Sequence, residues 1–422
     1  MIALLKNHNS SLANKPRFLK LMPVYKLMVG NFISFIGDQI YLITLPLIVY
    51  NITGSAVDMG IVVAIEKIPN IFQPITGVLA DMIKKKRLLL LCDALRGILV
   101  CAMGILYIIN NLNMWHIYVG ALLLGFLEQF YNTARFSTIP LLSEENNLHY
   151  VNSLDSGIYD MAILIGPSIG GLIISIYNPG YALMINGLSF IVTFLAILSI
   201  HIPEHIDDSI NESKSYKARI FFRKLVEDLK VGFDFVFRTP IILYTNIALI
   251  FSAIGTTLFL TVMVFHFKSV LNLNAQEIGF LLSIGGIGAI LGAIFTNYLK
   301  KYYSYVNIII IGLVVGGISI LMFGTVKNYM LLVFSNALGT FAVSLINPCI
   351  ITLRQSITPK HLHGRVQATS RFMTWTLMPI SAYTAGLLAN SFGTSITIVL
   401  GGLIRIIAAL VLVKTSRKYI FA

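Results

Sequence analysis

Long apolar segments recur along the whole chain, and they restrict it to very few folds. Each segment holds about 20 mostly apolar residues, the length that a helix needs to cross the hydrocarbon core of a bilayer. Only 12% of the 422 residues are charged, about half of the fraction that is usual in soluble proteins. We therefore predict an all-α integral membrane protein with twelve transmembrane helices. The twelve segments lie near residues 27–50, 57–80, 88–109, 115–136, 151–176, 181–201, 241–266, 276–299, 305–325, 329–353, 366–390 and 394–413.

Lysine and arginine residues are divided very unequally between the two sets of loops. Of the 31, twenty-five lie in the N-terminal segment, the loops after even-numbered segments, the central linker or the C-terminal tail. The opposite loops hold only Lys268 and Lys327. Loops rich in these residues stay on the cytoplasmic side, so both termini are predicted to be cytoplasmic. The net charge of +13 is thereby explained without nucleic-acid binding, and the run Lys84–Arg87 indicates contact with anionic lipids.

One long hydrophilic stretch divides the apolar segments into two sets of six. It contains an amphipathic sequence that is predicted to form a helix lying along the membrane surface. The predicted division of the chain is a cytoplasmic N-terminal segment at 1–26, a six-helix bundle at 27–202, a cytoplasmic linker at 203–239, a second six-helix bundle at 240–413 and a cytoplasmic tail at 414–422.

The two halves of the chain resemble each other. Arg135–Pro140 and Arg354–Pro359 both read R-x-S-x-x-P, and each follows the fourth apolar segment of its half. Glycines recur in the same way: one pair, at 37 and 60, is 23 residues apart, and the other, at 255 and 279, is 24 apart. Two similar bundles joined by a linker are typical of transporters in which the bundles rock around a site at the bilayer midplane.

A glycine and an acid stand four residues apart where the second apolar segment ends. These are Gly77 and Asp81, and the basic run Lys84–Arg87 follows them. The pattern resembles the loop signature G-x-L-A-D-R-x-G-R-K of the major facilitator superfamily. It departs from that signature at Met82, where an arginine is usual, and at Lys84, where a glycine is usual.

Two further features carry the same resemblance. Gly166-Pro167-x-x-Gly170-Gly171 in the fifth segment resembles a signature common among antiporters of that superfamily, and residues 37–56, 132–140 and 358–379 resemble its macrolide-efflux and enterobactin-exporter branch. The resemblance covers essentially the whole chain and implies export without identifying a substrate. Physically, the glycines permit close helix packing and Pro167 removes one backbone hydrogen bond, which makes a helix that can bend. Packing alone is the alternative explanation.

The first of these motifs predicts a conformational gate. Gly77 lacks a Cβ, so another helix can approach it closely, and the Asp81 carboxylate can accept hydrogen bonds from the exposed N–H groups that open a helix. The resemblance implies that this helix begins at Gly364-Arg365 and that the contact forms only when the cytoplasmic side is shut. The alternative is that Asp81 is merely an interfacial acid among bases. The predicted gate residues are Gly77, Asp81, Asp93, Arg96, Gly364 and Arg365.

Four acids lie deep within the apolar segments, where an ionisable group is costly and indicates function. They are Asp38, Glu66, Glu128 and Asp160. Burial among apolar side chains disfavours the charged form, so such an acid can exchange a proton near neutral pH. Asp38 and Glu128 are the leading candidates for proton carriers, because the resemblance implies that their segments line a central cavity. The alternative is a permanently paired structural acid; for Glu66, direct pairing with Lys67 is not expected, since neighbouring residues on a helix project about 100° apart.

Polar stripes on the first, second and fourth segments are expected to face the bundle interior or a wet cavity. In the second half, Arg371 and nearby aromatic residues are suited to a large amphipathic ligand, although packing explains them equally well. Acids in one half and arginines in the other indicate a substrate with both charges, or acids for protons and arginines for an anionic group. The predicted cavity residues are Asn31, Ser34, Tyr41, Asn70, Asn132, Arg371, Trp375 and Arg405.

These features together predict a proton-coupled exporter of amphipathic small molecules, such as drugs, macrolides or siderophore-like metabolites. An importer on the same scaffold is the first alternative, and a non-transporting membrane receptor is the second. An enzyme is not expected, because the sequence has no nucleophile–base or metal motif, and no cofactor is predicted beyond the proton gradient. The expected partners are the substrate, protons and anionic lipids but no nucleic acid, and we expect a monomer in the bacterial cytoplasmic membrane.

Overall fold

The computed structural model describes residues 21–81, 83–143, 147–203, 227–359 and 362–419, and over these residues it is all-helical. A helix satisfies all of its backbone hydrogen bonds internally, which a chain in lipid requires. The α-helices are α1 Met22–Thr53, α2 Ala56–Lys67, α3 Gln73–Asp81, α4 Lys85–Ile108, α5 Met114–Leu142, α6 Leu148–Ile176, α7 Pro179–Leu198, α8 Pro240–Ser269, α9 Ala275–Leu299, α10 Tyr305–Thr325, α11 Tyr329–Ile357, α12 His363–Trp375, α13 Met378–Phe392 and α14 Thr394–Tyr419.

Among the described residues, nine helices are long and apolar enough to cross a membrane, namely α1, α4, α6 to α11 and α14. Two of the predicted spans are interrupted. A 3₁₀ helix, Ile68–Phe72, separates α2 from α3, and a break at 376–377 separates α12 from α13. Proline lacks an N–H donor and restricts the residue before it, and Pro69 and Pro379 lie at these two breaks. The prediction of continuous helices over 57–80 and 366–390 was therefore wrong at these points.

The paired glycines of the sequence repeat make equivalent contacts in the two halves. Gly37 packs α1 against Ser189 and Asn186 of α7, and Gly255 packs α8 against the carbonyl of Gly401 in α14. A side chain at either position would occupy space that the neighbouring helix already fills. The repeat thus marks where the first helix of each half lies against the last.

The other glycine of each pair lies where the two halves meet. Gly60 of α2 packs against Gly386 of α13, and Gly279 of α9 packs against the carbonyl of Pro167 in α6. The halves therefore contact each other along two seams, α2 with α13 and α6 with α9. An edge-to-face pair of rings, Tyr50 and Phe265 with centroids 5.2 Å apart, adds a contact between α1 and α8.

The two ends of the molecule differ in how closely the halves approach. We call the end that holds Lys84–Arg87 and Lys300–Lys301 the basic end. The glycine contacts of both seams lie far from the basic end. One seam joins α2 to α13, and the other joins the end of α6 to the start of α9. At the basic end, a Cβ placed on Gly77 or Gly364 would meet no heavy atom of another described segment within 4 Å. The described structure is thus sealed by backbone contact at the end opposite the basic end.

A helical stretch at 227–238, within the predicted linker, packs against α12. Asp228 forms an ion pair with Arg365, with an Oδ1–Nε distance of 2.8 Å. Phe233 lies edge-on to Phe372, with ring centroids 6.4 Å apart, and both Val236 and Val366 are buried. The described part of this amphipathic segment thus packs on α12, and its position along the membrane surface stays a prediction.

We expect Gly232→Val to detach this stretch from α12. A Cβ on Gly232 would collide with Thr369 Oγ1 and would lie 2.8 Å from the carbonyl oxygen of Arg365, which is backbone and cannot move aside. Amide hydrogen exchange across 227–238 should accelerate by about tenfold or more, since local opening exposes the amides. The matched control is Gly157→Val, because a Cβ on Gly157 would meet no heavy atom of another described segment within 4 Å. Equal exchange in both variants would contradict the packing role.

Candidate functional site

An ion pair between α1 and α4 forms the centre of the candidate site. Arg96 Nη2 donates to both oxygens of Asp38, at 3.1 Å and 3.3 Å. The Arg96 side chain is only 7% exposed, whereas that of Asp38 is 36% exposed. A charge within an apolar bundle is tolerated when it is paired and hydrogen-bonded. Arg96, which the sequence assigned to the gate, therefore holds the leading candidate for proton binding.

Aromatic rings hold the Arg96 guanidinium in place. Its Cζ lies 4.1 Å from the ring centroid of Phe190 in α7 and 5.3 Å from that of Tyr131 in α5. The negative face of an aromatic ring attracts a cation, most strongly away from water. Arg96 is thus positioned by α7 and α5 while its charge is directed at α1.

Glu128 and Asp160, two of the other predicted proton carriers, differ in their exposure. Glu128 is exposed rather than buried among apolar residues as predicted, and it lies close enough to Asp38 and Arg96 to interact with both charges. Asp160 of α6 is half-buried. Glu128 consequently belongs to the same electrostatic environment as the ion pair.

The prediction that Glu66 and Lys67 do not pair was wrong. Lys67 Nζ lies 2.6 Å from Glu66 Oε1. The 100° separation describes the directions of the two Cβ atoms, and the flexible four-carbon stem of a lysine can span it. Lys67 is also the last residue of α2 before the chain enters the 3₁₀ helix.

Several predicted cavity residues are packed between helices in this structure. Asn31 is fully buried and accepts a hydrogen bond of 2.8 Å from the Tyr131 hydroxyl. Ser34 is also buried. Arg405 is buried against Gly316 and donates to Thr256 Oγ1 at 3.2 Å. These side chains stabilise contacts between helices rather than facing an open space.

The remaining predicted cavity residues are partly accessible. Tyr41 and Asn132 are half-buried. Asn70, also half-buried, accepts a hydrogen bond of 2.6 Å from Gln129. In the second half, the Arg371 guanidinium lies 5.7 Å from the ring centroid of Trp375. This pair presents a cation and an aromatic surface together.

The Gly166–Gly171 motif contacts both halves at once. Gly166 and Gly170 lie against Gln39 and Ile40 of α1, and Gly171 lies against the carbonyl of Ala275 in α9. Next to Pro167, Ser168 shares a hydrogen bond of 2.7 Å with Ser283 of α9. The motif therefore lets α6 pack closely on α1 and on the other half of the molecule.

The predicted gate is only partly described. The Asp81 side chain lies outside the described residues. A Cβ on Gly77 or Gly364 would make no close contact with another described segment. Arg365 pairs with Asp228 of the 227–238 stretch. In the basic run, Lys86 Nζ donates to the carbonyl of Ile200 at 2.6 Å, just beyond α7. The gate contact thus stays a prediction, and Arg365 has a partner that the sequence did not indicate.

The two R-x-S-x-x-P motifs place buried arginines that were not among the predicted site residues. Arg135 pairs with Asp155 of α6, with an Nη1–Oδ1 distance of 2.7 Å. Arg354 instead donates to neutral acceptors, Asn246 Oδ1 at 2.6 Å and Gln367 Oε1 at 3.2 Å. The repeated arginine was the signal that could have identified both clusters.

Comparison with known protein families decides which group of membrane proteins this is. The family model described as Major Facilitator Superfamily matches residues 27–380 and 245–420. The chain belongs to the major facilitator superfamily. Members of this superfamily are transporters, so the chain is a membrane transporter and not an enzyme.

Characterised relatives and solved structures agree with this assignment. The chain is 23% identical to the multidrug efflux pump Tap of Mycolicibacterium fortuitum, covering 86% of this chain and 88% of that one. It is 22% identical to the enterobactin exporter EntS of Escherichia coli O1:K1, covering 87% and 84%. Its fold is similar to that of the nucleoside transporter NupG, with a TM-score of 0.72 and 14% identity over 93% of this chain and 98% of that one. A bacterial homologue of the human lysosomal transporter Spinster, inward-facing and unoccupied, is also similar (TM-score 0.71, 12% identity, 96% and 98% covered).

Proposed function

We propose that this transporter exports amphipathic small molecules in exchange for protons. The observation that carries the proposal is the Asp38–Arg96 ion pair, because it places a partly exposed carboxylate against a buried cation inside a helix bundle. Protonation of Asp38 removes its charge and with it the attraction to Arg96. An exchangeable proton at this position therefore changes the contact between α1 and α4, which is the kind of coupling that an antiporter needs.

The proposed architecture has twelve spans in two six-helix bundles, with both termini on the cytoplasmic side of a bacterial cytoplasmic membrane. The two interrupted pairs, α2 with α3 and α12 with α13, each count as one span, and α5 counts as another. The basic loops lie on the cytoplasmic side, so the seal opposite the basic end would be extracellular. Similarity to an inward-facing structure supports this conformation. The proton gradient supplies the energy, and the protein acts as a monomer.

The direction and the substrate class follow from the relatives and from the site. Tap and EntS are named for efflux and export, which favours antiport. The Arg371–Trp375 pair suits a ligand with an aromatic or an anionic part. Proton-driven import on the same scaffold is the alternative, because fold does not set direction.

The test uses the protein in proteoliposomes with an imposed pH gradient and with ethidium, erythromycin and enterobactin as probes. For wild type we expect one or more probes to move against the direction of proton flow. In Asp38→Asn and Glu128→Gln, gradient-driven flux should fall by about tenfold or more, the change produced by about 1.4 kcal/mol. The control is Asp58→Asn, whose carboxylate accepts a hydrogen bond of 2.8 Å from Tyr118 and lies away from the site.

Each part of the proposal can fail separately. Unchanged flux in both Asp38→Asn and Glu128→Gln would remove the proton-carrier assignment. Movement of a probe in the same direction as protons would favour the importer. If no probe moved at any gradient, the proposed substrate class would be wrong.

A further inference from the structure

A second carboxylate lies one helical turn from Arg96 on α4. Asp93 is 1% exposed, and neither of its carboxyl oxygens has a hydrogen-bond partner among the described residues. Side chains three residues apart on a helix are neighbours, so the Arg96 guanidinium can reach Asp93 by rotating its side chain. In this structure it pairs with Asp38 instead.

The surroundings of Asp93 form a polar layer on the basic-end side of the ion pair. Tyr131 contributes a hydroxyl that donates to Asn31 Oδ1, and Asn31 Nδ2 is buried without a hydrogen-bond partner in the described part of the chain. The facing helix α7 contributes Phe190 and no charged side chain near Arg96. The titratable or charged side chains near the cluster on the other helices are Asp38 and Tyr41 on α1, Glu66 and Lys67 on α2, Glu128, Tyr131 and Arg135 on α5, and Tyr159 on α6. On α4 itself, Cys92 lies beside Asp93 and Arg96.

The burial of Asp93 determines its protonation in this conformation. An ionised carboxylate with no cation and no hydrogen-bond donor is far too costly in a dry interior. Arg96 is the nearest cation, but its Nη2 donates both of its hydrogen bonds to Asp38. Asp93 is therefore a neutral carboxylic acid while Arg96 pairs with Asp38.

We propose that Asp93 is a second proton-binding site and that Arg96 is shared between Asp38 and Asp93. When a proton binds the Asp38 carboxylate, an O–H bond forms there and Arg96 is released. Arg96 then pairs with Asp93, whose O–H bond breaks, and that proton leaves toward the basic end. One proton is gained and one is lost, and both before and after the exchange the cluster holds one guanidinium, one carboxylate and one carboxylic acid.

Sharing one cation between two acids leaves no unpaired buried charge in either end state of the exchange. A single acid paired with Arg96 would leave the guanidinium alone after protonation, which costs several kcal/mol in a low-dielectric interior. With Asp93 as the second partner, the net charge of the cluster is the same before and after the exchange. The inference rests on the proposed proton-coupled function, which supplies the proton that reaches Asp38.

The test follows the infrared carbonyl stretch of protonated carboxyl groups in the purified protein at neutral pH, without any substrate. We expect a band in wild type that is lost in Asp93→Asn and returns in Asp93→Glu. We also expect the band to be lost in Asp38→Asn, because Arg96 then pairs with Asp93 and ionises it. The control is Asp155→Asn, the partner of Arg135, in which the band should remain.

If the band persists in Asp38→Asn, Arg96 is not shared between the two acids. If the spectrum of Asp93→Asn equals that of wild type, Asp93 is not a second proton-binding site. Should Asp93→Asn fail to fold, the Asp38→Asn spectrum still decides. The spectra need no transported probe, so a result against the Asp93 site would not argue against the proposed antiport. A flux assay in which no probe moves would likewise leave the spectra interpretable.

Discussion

Gly60→Val is expected to prevent the two halves from closing at the end opposite the basic end. A Cβ on Gly60 would lie 2.8 Å from the Cα of Gly386 and 2.9 Å from the carbonyl oxygen of Ala382. Both obstacles are backbone atoms of α13, so α2 and α13 must move apart. Overpacking of this kind costs about 1–3 kcal/mol, which would lower the population of the sealed conformation by about 5- to 150-fold.

The separation can be measured between spin labels at Asn111 and Lys327, which are exposed in loops at that end, one in each half. Gly60→Val should shift the distance distribution to longer values and reduce transport of whichever probe the wild type moves. Gly157→Val is the matched control, because it adds the same side chain at a position where a Cβ meets no heavy atom of another described segment within 4 Å. If the distances in Gly60→Val equal those in the control, the α2–α13 contact does not form the seal.

Arg96→Leu is expected to destabilise the first half of the molecule and to disrupt coupling. The substitution leaves the Asp38 carboxylate without its cation and removes the contact with the Phe190 ring. Breaking a fully buried pair costs about 3–5 kcal/mol; because Asp38 is 36% exposed, we expect about 2 kcal/mol after solvent screening. The measurement is the thermal unfolding midpoint in detergent, with proton-driven flux measured alongside.

Two variants separate the loss of the ion pair from a general effect of losing an arginine. Arg238→Leu removes an ion pair with Asp234 in which the arginine side chain is 78% exposed and the aspartate side chain 58% exposed. Ion pairs on the surface contribute only about 0–1 kcal/mol to the free energy of unfolding. Its midpoint should therefore stay close to wild type. The double variant Arg96→Leu with Asp38→Leu should recover most of the lost stability, since no unpaired charge remains. A double variant as unstable as Arg96→Leu would mean that the guanidinium acts through packing alone.

Much of the candidate site was visible in the sequence as residue types, but its pairing was not. Asp38 and Arg96 were both singled out because a charge within an apolar segment needs an explanation. They were nevertheless assigned to different roles, since residues 58 positions apart show no sign in the sequence that their helices are in contact. Glu66 and Lys67 are neighbours in sequence, and yet their ion pair was not predicted. Helical geometry alone did not account for the reach of a lysine side chain.

The all-helical membrane class, the basic loops and the paired glycines could all be predicted from the sequence, because hydropathy, charge and spacing act locally or repeat along the chain. The glycine pairs, for example, mark the contacts of α1 with α7 and α8 with α14, and of each seam between the halves. Which charges meet became known from the packing of the helices. The packing also revealed that Arg365 pairs with the 227–238 stretch and that Asp93 lies buried beside Arg96 with no hydrogen-bond partner among the described residues. The physical reason is that an ion pair depends on distance and burial in three dimensions, and these arise only when helices distant in sequence pack together.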